Sequence, residues 1–245
     1  MCTLTWLHEG DGYRLWFNRD ELLTRGPELP PAVAETPAGR YIAPADSDQG
    51  GTWIATNDAG VTVALLNGYR DSRGPERPQW TSRGHLVREL ALMRDASSLW
   101  RALSPARLAE FRPLVLVVVG PKAPALSARW DGLDLVMSAN GDEELPVCSS
   151  SFRQDEVQRA RRALYATLVS GAGGRSAARL AAFQSHTGPH GADAYSPCMR
   201  REDAATRSQC RVQVDAREVR FEYVPGPPNE TEARPAVVLA RRRKP

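Results

Sequence analysis

Lysine is nearly absent from this chain, since Lys122 and Lys244 are the only lysines among 32 basic residues and all the others are arginine. The formal net charge over 245 residues is only +3, and the one dense basic run, 241–244, lies at the end of the sequence. A nucleic-acid-binding domain concentrates its basic residues on one face or along one helix. A solvated tail explains the terminal run better than a binding patch does, so we expect no nucleic-acid partner.

Long apolar runs are also missing. The longest, 113–120, falls well short of the roughly 20 residues that a membrane-spanning helix needs, and its composition is typical of a buried strand. The first residues contain no basic stretch followed by an apolar stretch, which a secretory signal requires. The sequence therefore predicts a cytoplasmic protein without a membrane partner.

Cysteine and histidine are scarce. The four cysteines, at positions 2, 148, 198 and 210, have spacings that match no zinc-binding pattern, and in the cytoplasm we expect thiols rather than disulfides. His186 and His190 are four residues apart, as metal ligands on a helix are, but the glycines and proline around them are typical of a loop. We therefore expect neither a metal ion nor another cofactor.

Apolar alternation and turn residues predict a chain built largely of strands. Two strands at 2–8 and 12–19 flank Asp11-Gly12, which is a strong β-hairpin signal. Further strands are predicted at 40–44, 51–57, 60–67, 114–119, 125–131, 133–139, 210–215 and 219–224. Helical patterns are predicted at 82–96, 97–110, 153–169 and 176–186.

The order of these elements bears on the fold class. Strands and helices do not alternate strictly, as they do in a doubly wound parallel sheet. The order therefore predicts an α+β fold with antiparallel sheets and helices outside. In the helix at 153–169, Val157, Leu164 and Leu168 are predicted to face inward and the arginines outward. No repeat or linker divides the chain, so we expect a single domain over 1–245 that ends in a Pro/Arg-rich tail at 228–245.

Cys2 follows the start methionine directly. Cysteine is small enough for Met1 to be trimmed, and trimming leaves a thiol and a free α-amine on one residue. Such an amine has an ordinary pKa of about 7.7–8.0, so it is partly neutral at pH 7 and is able to act as a base for the thiol. One residue then supplies both nucleophile and base. The alternative is a small residue buried at the start of a strand.

A second polar stretch, Asn18 to Glu21, follows an apolar strand that would lie beside the first one. A carboxylate here is able to orient the α-amine of Cys2, and a guanidinium is able to lower the pKa of its thiol. Adjacent residues on a strand face opposite sides, so we expect that Arg19 and Asp20 do not both face Cys2. The alternative is a charged strand end with local ion pairs.

A third stretch, 49–70, combines paired glycines with a strand that ends in Asn67. The glycines allow a close approach of the backbone. An amide at a strand end is able to donate a hydrogen bond to a developing oxyanion, and the alternative is a turn asparagine beside Gly68. Trp53 is expected in the core or in a pocket wall.

The segment 148–152, CSSSF, precedes the predicted helix at 153–169. Its serines either line a pocket or cap the helix by accepting hydrogen bonds from the first free N–H groups. Asp155 is a further candidate for the cap. The cap is the interpretation that we favour.

Taken together, Met1-Cys2, NRDE at 18–21, GGTW at 50–53 and Asn67 resemble the NRDE family, also called the transport and Golgi organisation family. The resemblance is dense over 1–70 and patchy over 140–225. The family in turn is similar to the N-terminal nucleophile hydrolases, most closely to the cysteine branch that contains penicillin V acylase and bile salt hydrolase. This resemblance implies a four-layer αββα sandwich.

The resemblance also implies roles for individual residues. It implies Cys2 as the nucleophile, Asp20 as the group that holds the α-amine, and Asn67 as an oxyanion donor. A second asparagine expected in the later half corresponds to Asn140. Phe17 stands where the acylase branch has an arginine. The full set of candidate residues is Cys2, Asn18, Arg19, Asp20 and Asn67 for catalysis, and Glu21, Trp53 and Asn140 for substrate binding.

The leading functional hypothesis is a hydrolase or acyltransferase that acts on a small amide or acyl compound through a thioester on Cys2. One alternative is a non-catalytic carrier of haem or of an acyl or lipid ligand in the same pocket, with His8, His186 or Cys2 as a possible axial ligand. Another is a scaffold protein. The state of the N-terminus discriminates between them, because catalysis needs the free amine of Cys2 and ligand binding does not.

Overall fold

The computed structural model describes residues 2–69, 74, 76–95, 97–122, 124–139, 141–171 and 173–242. The strands are β1 (Cys2–Glu9), β2 (Gly12–Leu22), β3 (Leu29–Thr36), β4 (Gly39–Ala45), β5 (Ile54–Asn57), β6 (Thr62–Asn67), β7 (Leu114–Val119), β8 (Leu126–Trp130), β9 (Leu135–Ser138), β10 (Val147–Ser149), β11 (Ala204–Val214), β12 (Glu218–Val224) and β13 (Val237–Ala240). The helices are α1 (Arg83–Leu90), α2 (Ser98–Ala102), α3 (Pro105–Leu108), α4 (Gln154–Leu168) and α5 (Ala177–Gln184), and a 3-10 turn spans Gly141–Glu144.

The strands form two antiparallel sheets that pack face to face. Sheet A has the order β10-β1-β2-β11-β12-β13, and sheet B has the order β3-β4-β5-β6-β7-β8-β9. Helices α4 and α5 cover the outer face of sheet A, whereas α1, α2 and α3 pack with the outer face of sheet B. The layers are therefore helix, sheet, sheet and helix, which confirms the predicted α+β class and αββα sandwich.

The β1–β2 hairpin forms where the sequence predicts it. Gly10 has a φ of +55°, which favours glycine. At Gly12, a Cβ atom would lie 1.8 Å from the carbonyl oxygen of Val214 on β11, so only glycine fits there. The two glycines thus close the turn and let β11 pair alongside β2.

Three segments differ from the sequence prediction. The Pro-rich stretch after β2 forms the edge strand β3, where Pro30 and Pro31 are tolerated because an edge strand leaves half of its N–H groups unpaired. The predicted helix at 82–96 ends at Leu90. The predicted tail contributes β13, which pairs with β12 and buries Leu239.

A buried chain of hydroxyl groups joins the two sheets at the core. The Tyr13 hydroxyl donates to the carbonyl of Gly60 at 3.0 Å and lies 2.6 Å from the Thr62 hydroxyl of β6. Thr62 in turn lies 2.7 Å from the hydroxyl of Thr56 on β5. Because Tyr13 reaches sheet B, odd-numbered residues of β2 face the space between the sheets.

We expect Tyr13→Phe to lower the free energy of unfolding by about 1–2 kcal/mol, since it leaves the buried carbonyl of Gly60 without its donor. Chemical denaturation of the two proteins measures the difference. Tyr41→Phe is the matched control, because the Tyr41 hydroxyl has no hydrogen-bond partner in the part of the chain that the structure describes. Equal effects of the two substitutions would contradict a structural role for the Tyr13 hydroxyl.

Candidate active site

A cavity of about 760 Å³ opens between the two sheets beside the first residue of β1. It is large enough for a small-molecule ligand. The side chains and backbone that line it include Cys2, Arg19, Asp20, Glu21, Arg25, Asp46, Trp53, Asn67, Trp80, Arg83 and Arg112. Both sheets and the start of α1 therefore contribute to one site.

Cys2 occupies the centre of a row of side chains across three strands. It pairs with Arg19 on β2 and with Ser149 on β10, and residues paired across antiparallel strands project from the same face. The Ser149 hydroxyl is buried and has no hydrogen-bond partner among the described residues. Burial raises the pKa of the Cys2 thiol to about 11, although Arg19 and a hydrogen bond from the Asp20 backbone both lower it.

The Arg19 guanidinium is held by carboxylates on one side of the cavity. It donates to Glu28 at 2.7 Å and to Glu21 at 3.3 Å, and Asp46 lies 3.5 Å away. The group also lies 4.6 Å from the centre of the Trp53 ring. Arg19 thus shares the face of Cys2, but its charge is compensated and its orientation is fixed.

The Asp20 carboxylate faces the opposite side of sheet A, toward the helices. It accepts a hydrogen bond from the Thr206 hydroxyl at 2.7 Å. Arg161 of α4 lies 3.5 Å from its second oxygen, and both side chains are fully buried. Burial raises the pKa of Asp20, whereas the Arg161 cation lowers it. The prediction that Arg19 and Asp20 face opposite sides is confirmed.

The Arg161 guanidinium connects α4 to the start of β1 by a hydrogen bond. It donates to the Thr3 hydroxyl of β1 and to the Tyr195 carbonyl, the latter at 3.3 Å. Arg161 lies four residues after Val157 and four before Tyr165, which are both buried on the inner face of α4. The prediction that the arginines of this helix all face outward is therefore wrong, because Arg161 replaces an apolar contact with an ion pair.

A β-bulge in β11 places hydrogen-bonding side chains on both faces of sheet A beside the site. The register shifts so that Thr206 pairs with Asp20 while Ser208 pairs with Arg19. On a regular strand, residues two apart share a face, but the inserted residue turns them to opposite faces. Thr206 therefore bonds Asp20 on the helix side, and Ser208 donates to Glu28 at 3.1 Å on the cavity side.

Two glycines bring α1 against the cavity wall. A Cβ atom on Gly51 would lie 2.8 Å from the backbone of Gly84, and the Thr52 N–H donates to the Gly84 carbonyl at 3.2 Å. This contact is the close backbone approach that the paired glycines predict. It places Arg83, the first residue of α1, beside the loop that carries Trp53.

Asn67 lines the cavity at the end of β6. Its side-chain amide donates to the Tyr69 hydroxyl at 3.0 Å, and Tyr69 is half-exposed. Because Tyr69 is exposed, its hydroxyl is a partner that the amide is able to exchange for a ligand oxygen. The position fits the predicted oxyanion donor, and the role itself stays a prediction.

The structure brings most, but not all, of the predicted residues together. Cys2, Arg19, Asp20, Glu21, Trp53 and Asn67 all border one cavity, although the Asp20 carboxylate itself points toward the helices. Asn18 is buried on the helix side, where its amide donates to the carbonyls of Gln184 and Pro197 and accepts from Gln209. Its predicted catalytic placement is therefore wrong, because its hydrogen bonds are used inside the protein. Asn140 lies outside the described residues.

The sequence analysis overlooked two residues near the site, Arg161 and Arg83. It also misassigned the serines of 148–152. Arg161 could have been found from its spacing of four to Val157 and Tyr165. Arg83 carries no local signal, because only the packing of Gly84 on Gly51 places it. The favoured assignment of a serine as the helix cap is wrong, since the N-cap residue of α4 is Arg153, whose side chain makes no capping hydrogen bond.

Some kinds of site are not found in the described ranges. No group of three or more histidine, cysteine or acidic side chains there is arranged to hold a metal ion. In the same ranges, no helix combines the length and apolar character that crossing a lipid bilayer requires.

The family model described as Transport and Golgi organisation 2 matches residues 1–128, which is more than half of the sequence. The chain belongs to this family. No curated protein matches the sequence. The family match covers β1 to β7 and the first part of β8, and therefore most of the cavity wall, including the NRDE tetrapeptide that gives β2 its polar end.

Solved structures extend the comparison of this Transport and Golgi organisation 2 chain to the fold. A penicillin V acylase from Agrobacterium tumefaciens is 12% identical with a TM-score of 0.54, covering 92% of this chain and 86% of that chain. A mutant conjugated bile acid hydrolase from Clostridium perfringens is 9% identical with a TM-score of 0.55, covering 100% and 97%. An N-acylethanolamine-hydrolyzing acid amidase ortholog from Caenorhabditis elegans is 11% identical with a TM-score of 0.54, covering 86% and 92%. These likenesses establish the N-terminal nucleophile hydrolase fold.

We expect Arg161→Met to lower the free energy of unfolding by about 3–5 kcal/mol at pH 7, because it leaves the Asp20 carboxylate buried without its cation. The pKa of Asp20 is already raised, so folding favours its protonated form as the pH falls. Removal of the cation raises this pKa further, and the loss is therefore smaller at pH 5 than at pH 7. Chemical denaturation at both pH values measures it.

Arg162→Met is the matched control for this experiment. Arg162 is the next residue of α4 and is exposed, so its loss is expected to change stability by less than about 0.5 kcal/mol. A loss in Arg161→Met that is equal at the two pH values would mean that Asp20 does not depend on Arg161.

Proposed function

We propose that the protein is a cysteine N-terminal nucleophile amidohydrolase or acyltransferase acting on a small amide or acyl substrate. The observation that carries the proposal is the position of Cys2, at the first residue of β1 and in the wall of a cavity of about 760 Å³. A buried aspartate, Asp20, lies one residue beyond the strand partner of Cys2. The fold shared with acylases and amidases supports the same reaction class.

The nucleophile needs a base, because burial raises the pKa of the Cys2 thiol to about 11 and leaves it protonated near neutral pH. In the proposal, removal of Met1 exposes the α-amine of Cys2, which accepts the thiol proton. Asp20 keeps this amine in place as a carboxylate acceptor of its hydrogen bonds. Arg161 holds Asp20 in turn, and is a positioning residue.

The chemical steps then follow in order. The thiolate attacks the substrate carbonyl carbon, and the carbonyl oxygen becomes an oxyanion that accepts a hydrogen bond from the Asn67 amide. The tetrahedral intermediate collapses, the carbon–nitrogen bond breaks, and the α-ammonium of Cys2 returns the proton to the leaving amine. Water or a second amine attacks the resulting thioester, releases the acyl group and restores the thiol.

A second candidate is a ligand carrier that uses the same cavity for haem or for an acyl or lipid ligand. The raised pKa of the Cys2 thiol favours it, since a protonated thiol is a poor nucleophile. Phe17, where the acylase branch has an arginine, also favours it, because Phe17 is fully buried and supplies no charge to the cavity.

The proposed reaction requires a native protein that has lost Met1 and a Cys2 that reacts first among the four cysteines. Intact mass before and after iodoacetamide treatment tests both points, because Cys148, Cys198 and Cys210 are also buried but do not line the cavity. Cys2→Ser is expected to abolish hydrolysis of acyl p-nitroanilides while leaving the circular dichroism spectrum unchanged. Cys210→Ser is the control. Retained Met1 together with no hydrolysis would favour the carrier, and full turnover by Cys2→Ser would exclude Cys2 as the nucleophile.

The two adjacent acids of the NRDE motif are expected to differ in importance. Asp20→Asn removes the charge that holds the α-amine and is expected to reduce the specificity constant by about 100-fold or more. Glu21→Gln alters only a partly exposed partner of Arg19, at 3.3 Å, and is expected to cost less than about tenfold. Steady-state rates of the two variants at equal pH make the comparison. Equal losses would assign the amine to a different acceptor.

A further inference from the structure

Four arginines line the cavity of Cys2, and acidic side chains compensate two of them. Arg19 is paired with Glu21, Glu28 and Asp46, as described above. Arg25 lies 2.5 Å from Asp46 and 3.2 Å from Asp48. The positive charges of Arg19 and Arg25 are therefore already balanced by carboxylates of the protein itself.

Arg83 and Arg112, on the other side of the cavity, differ from that pair. Arg83 donates to the Pro113 carbonyl at 2.8 Å, and Arg112 lies 5.9 Å from the centre of the Trp80 ring. Neither guanidinium forms an ion pair with an acidic side chain within the part of the chain that the structure describes. Among the described residues, two of the four arginines that line the cavity thus have no ion-pair partner.

The surroundings of Arg83 make this arrangement costly without a ligand. Arg83 is half-buried, and burial lowers its pKa, as does the neighbouring charge of Arg112, whereas Tyr69, Cys2 and the more distant Glu21 raise it. A cation that loses part of its hydration needs a counterion to recover the free energy. Arg83 and Cys2 line the same cavity.

We propose that the substrate of this site is an anion, and that its carboxylate or phosphate group binds Arg83 and Arg112 while its acyl carbon meets Cys2. This inference rests on the proposed function for the position of the acyl carbon. Guanidinium groups bind such oxyanions through paired hydrogen bonds. Arg83 then acts as the inner contact, and the exposed Arg112 acts at the entrance.

A pair of alkylating reagents tests the charge preference directly. Iodoacetate and iodoacetamide react alike: the Cys2 thiolate forms a sulfur–carbon bond, the carbon–iodine bond breaks, and iodide leaves. Only iodoacetate carries a carboxylate. We expect the ratio of its rate to that of iodoacetamide, measured at Cys2 by peptide mass spectrometry at low salt, to exceed the ratio for N-acetylcysteine by about tenfold or more.

Variants assign the preference to the two arginines. Arg83→Gln combined with Arg112→Gln is expected to return the ratio to the value of N-acetylcysteine. Arg88→Gln is the matched control, because Arg88 is an exposed arginine of α1 that does not line the cavity, and its ratio is expected to equal that of the native protein. A native ratio equal to that of N-acetylcysteine, or a ratio unchanged in the double variant, overturns the proposal.

A binding measurement covers the case in which Cys2 reacts with neither reagent. Isothermal titration calorimetry with butyrylglycine and with its neutral amide is expected to show tighter binding of the acid, and equal or tighter binding of the amide overturns the proposal.

Where Cys2 does react, competition of iodoacetamide labelling by acetate or by phosphate, at equal ionic strength, shows which oxyanion the arginines prefer. Protection by neither anion overturns the proposal. A protein that prefers iodoacetate but hydrolyses no amide retains the anion site and loses only the proposed reaction.

Discussion

The site depends on the register between β1 and β2. Because Cys2 pairs with Arg19, the thiol and the guanidinium share the face toward sheet B, and Asp20 is placed on the face toward the helices. A shift of the register by one residue would reverse both placements, since side chains alternate between the faces of a strand. The hairpin turn fixes the register from one end, and the contact of Gly12 with Val214 holds β11 in line with it.

On the helix face, the consequence is a buried ion pair. Asp20 is fully buried and needs a cation, and Arg161 of α4 supplies this charge and also donates a hydrogen bond to Thr3 of β1. A buried pair of this kind adds little to stability compared with an apolar pair, but removal of one partner is costly. The pair therefore makes the position of α4, the start of β1 and the carboxylate of the NRDE motif depend on one another.

On the cavity face, charge is divided between two groups of residues. The carboxylates around Arg19 and Arg25 hold those arginines as part of the wall. Arg83 and Arg112 face them across the cavity without acidic partners among the described residues. The bulge in β11 contributes to both faces, because it lets Thr206 donate a hydrogen bond to Asp20 while Ser208 donates one to Glu28 of the carboxylate cluster.

The sequence alone predicts those features that depend on residues close together in the chain. The hairpin at Asp11-Gly12, the alternation that separates Arg19 from Asp20, the glycine approach at Gly51 and the end of β6 at Asn67 all follow from backbone preferences and strand periodicity. The order of strands and helices was enough to predict the α+β class, whereas the αββα sandwich and the roles of the cavity residues were implied by the family resemblance of the motifs. Asn18 was misplaced because a polar strand residue shows no preference for either face until its hydrogen-bond partners are known.

Only the tertiary structure decided which distant residues complete the site. Arg161, Ser149 and Arg83 reach it from α4, β10 and α1, and their places depend on the packing of elements far apart in the chain. Strand pairing and helix docking are set by the burial of whole faces, a property that no local pattern reports. The sequence thus determined the elements and the side chains that they carry, whereas the packing of the four layers decided which charges meet and which remain uncompensated.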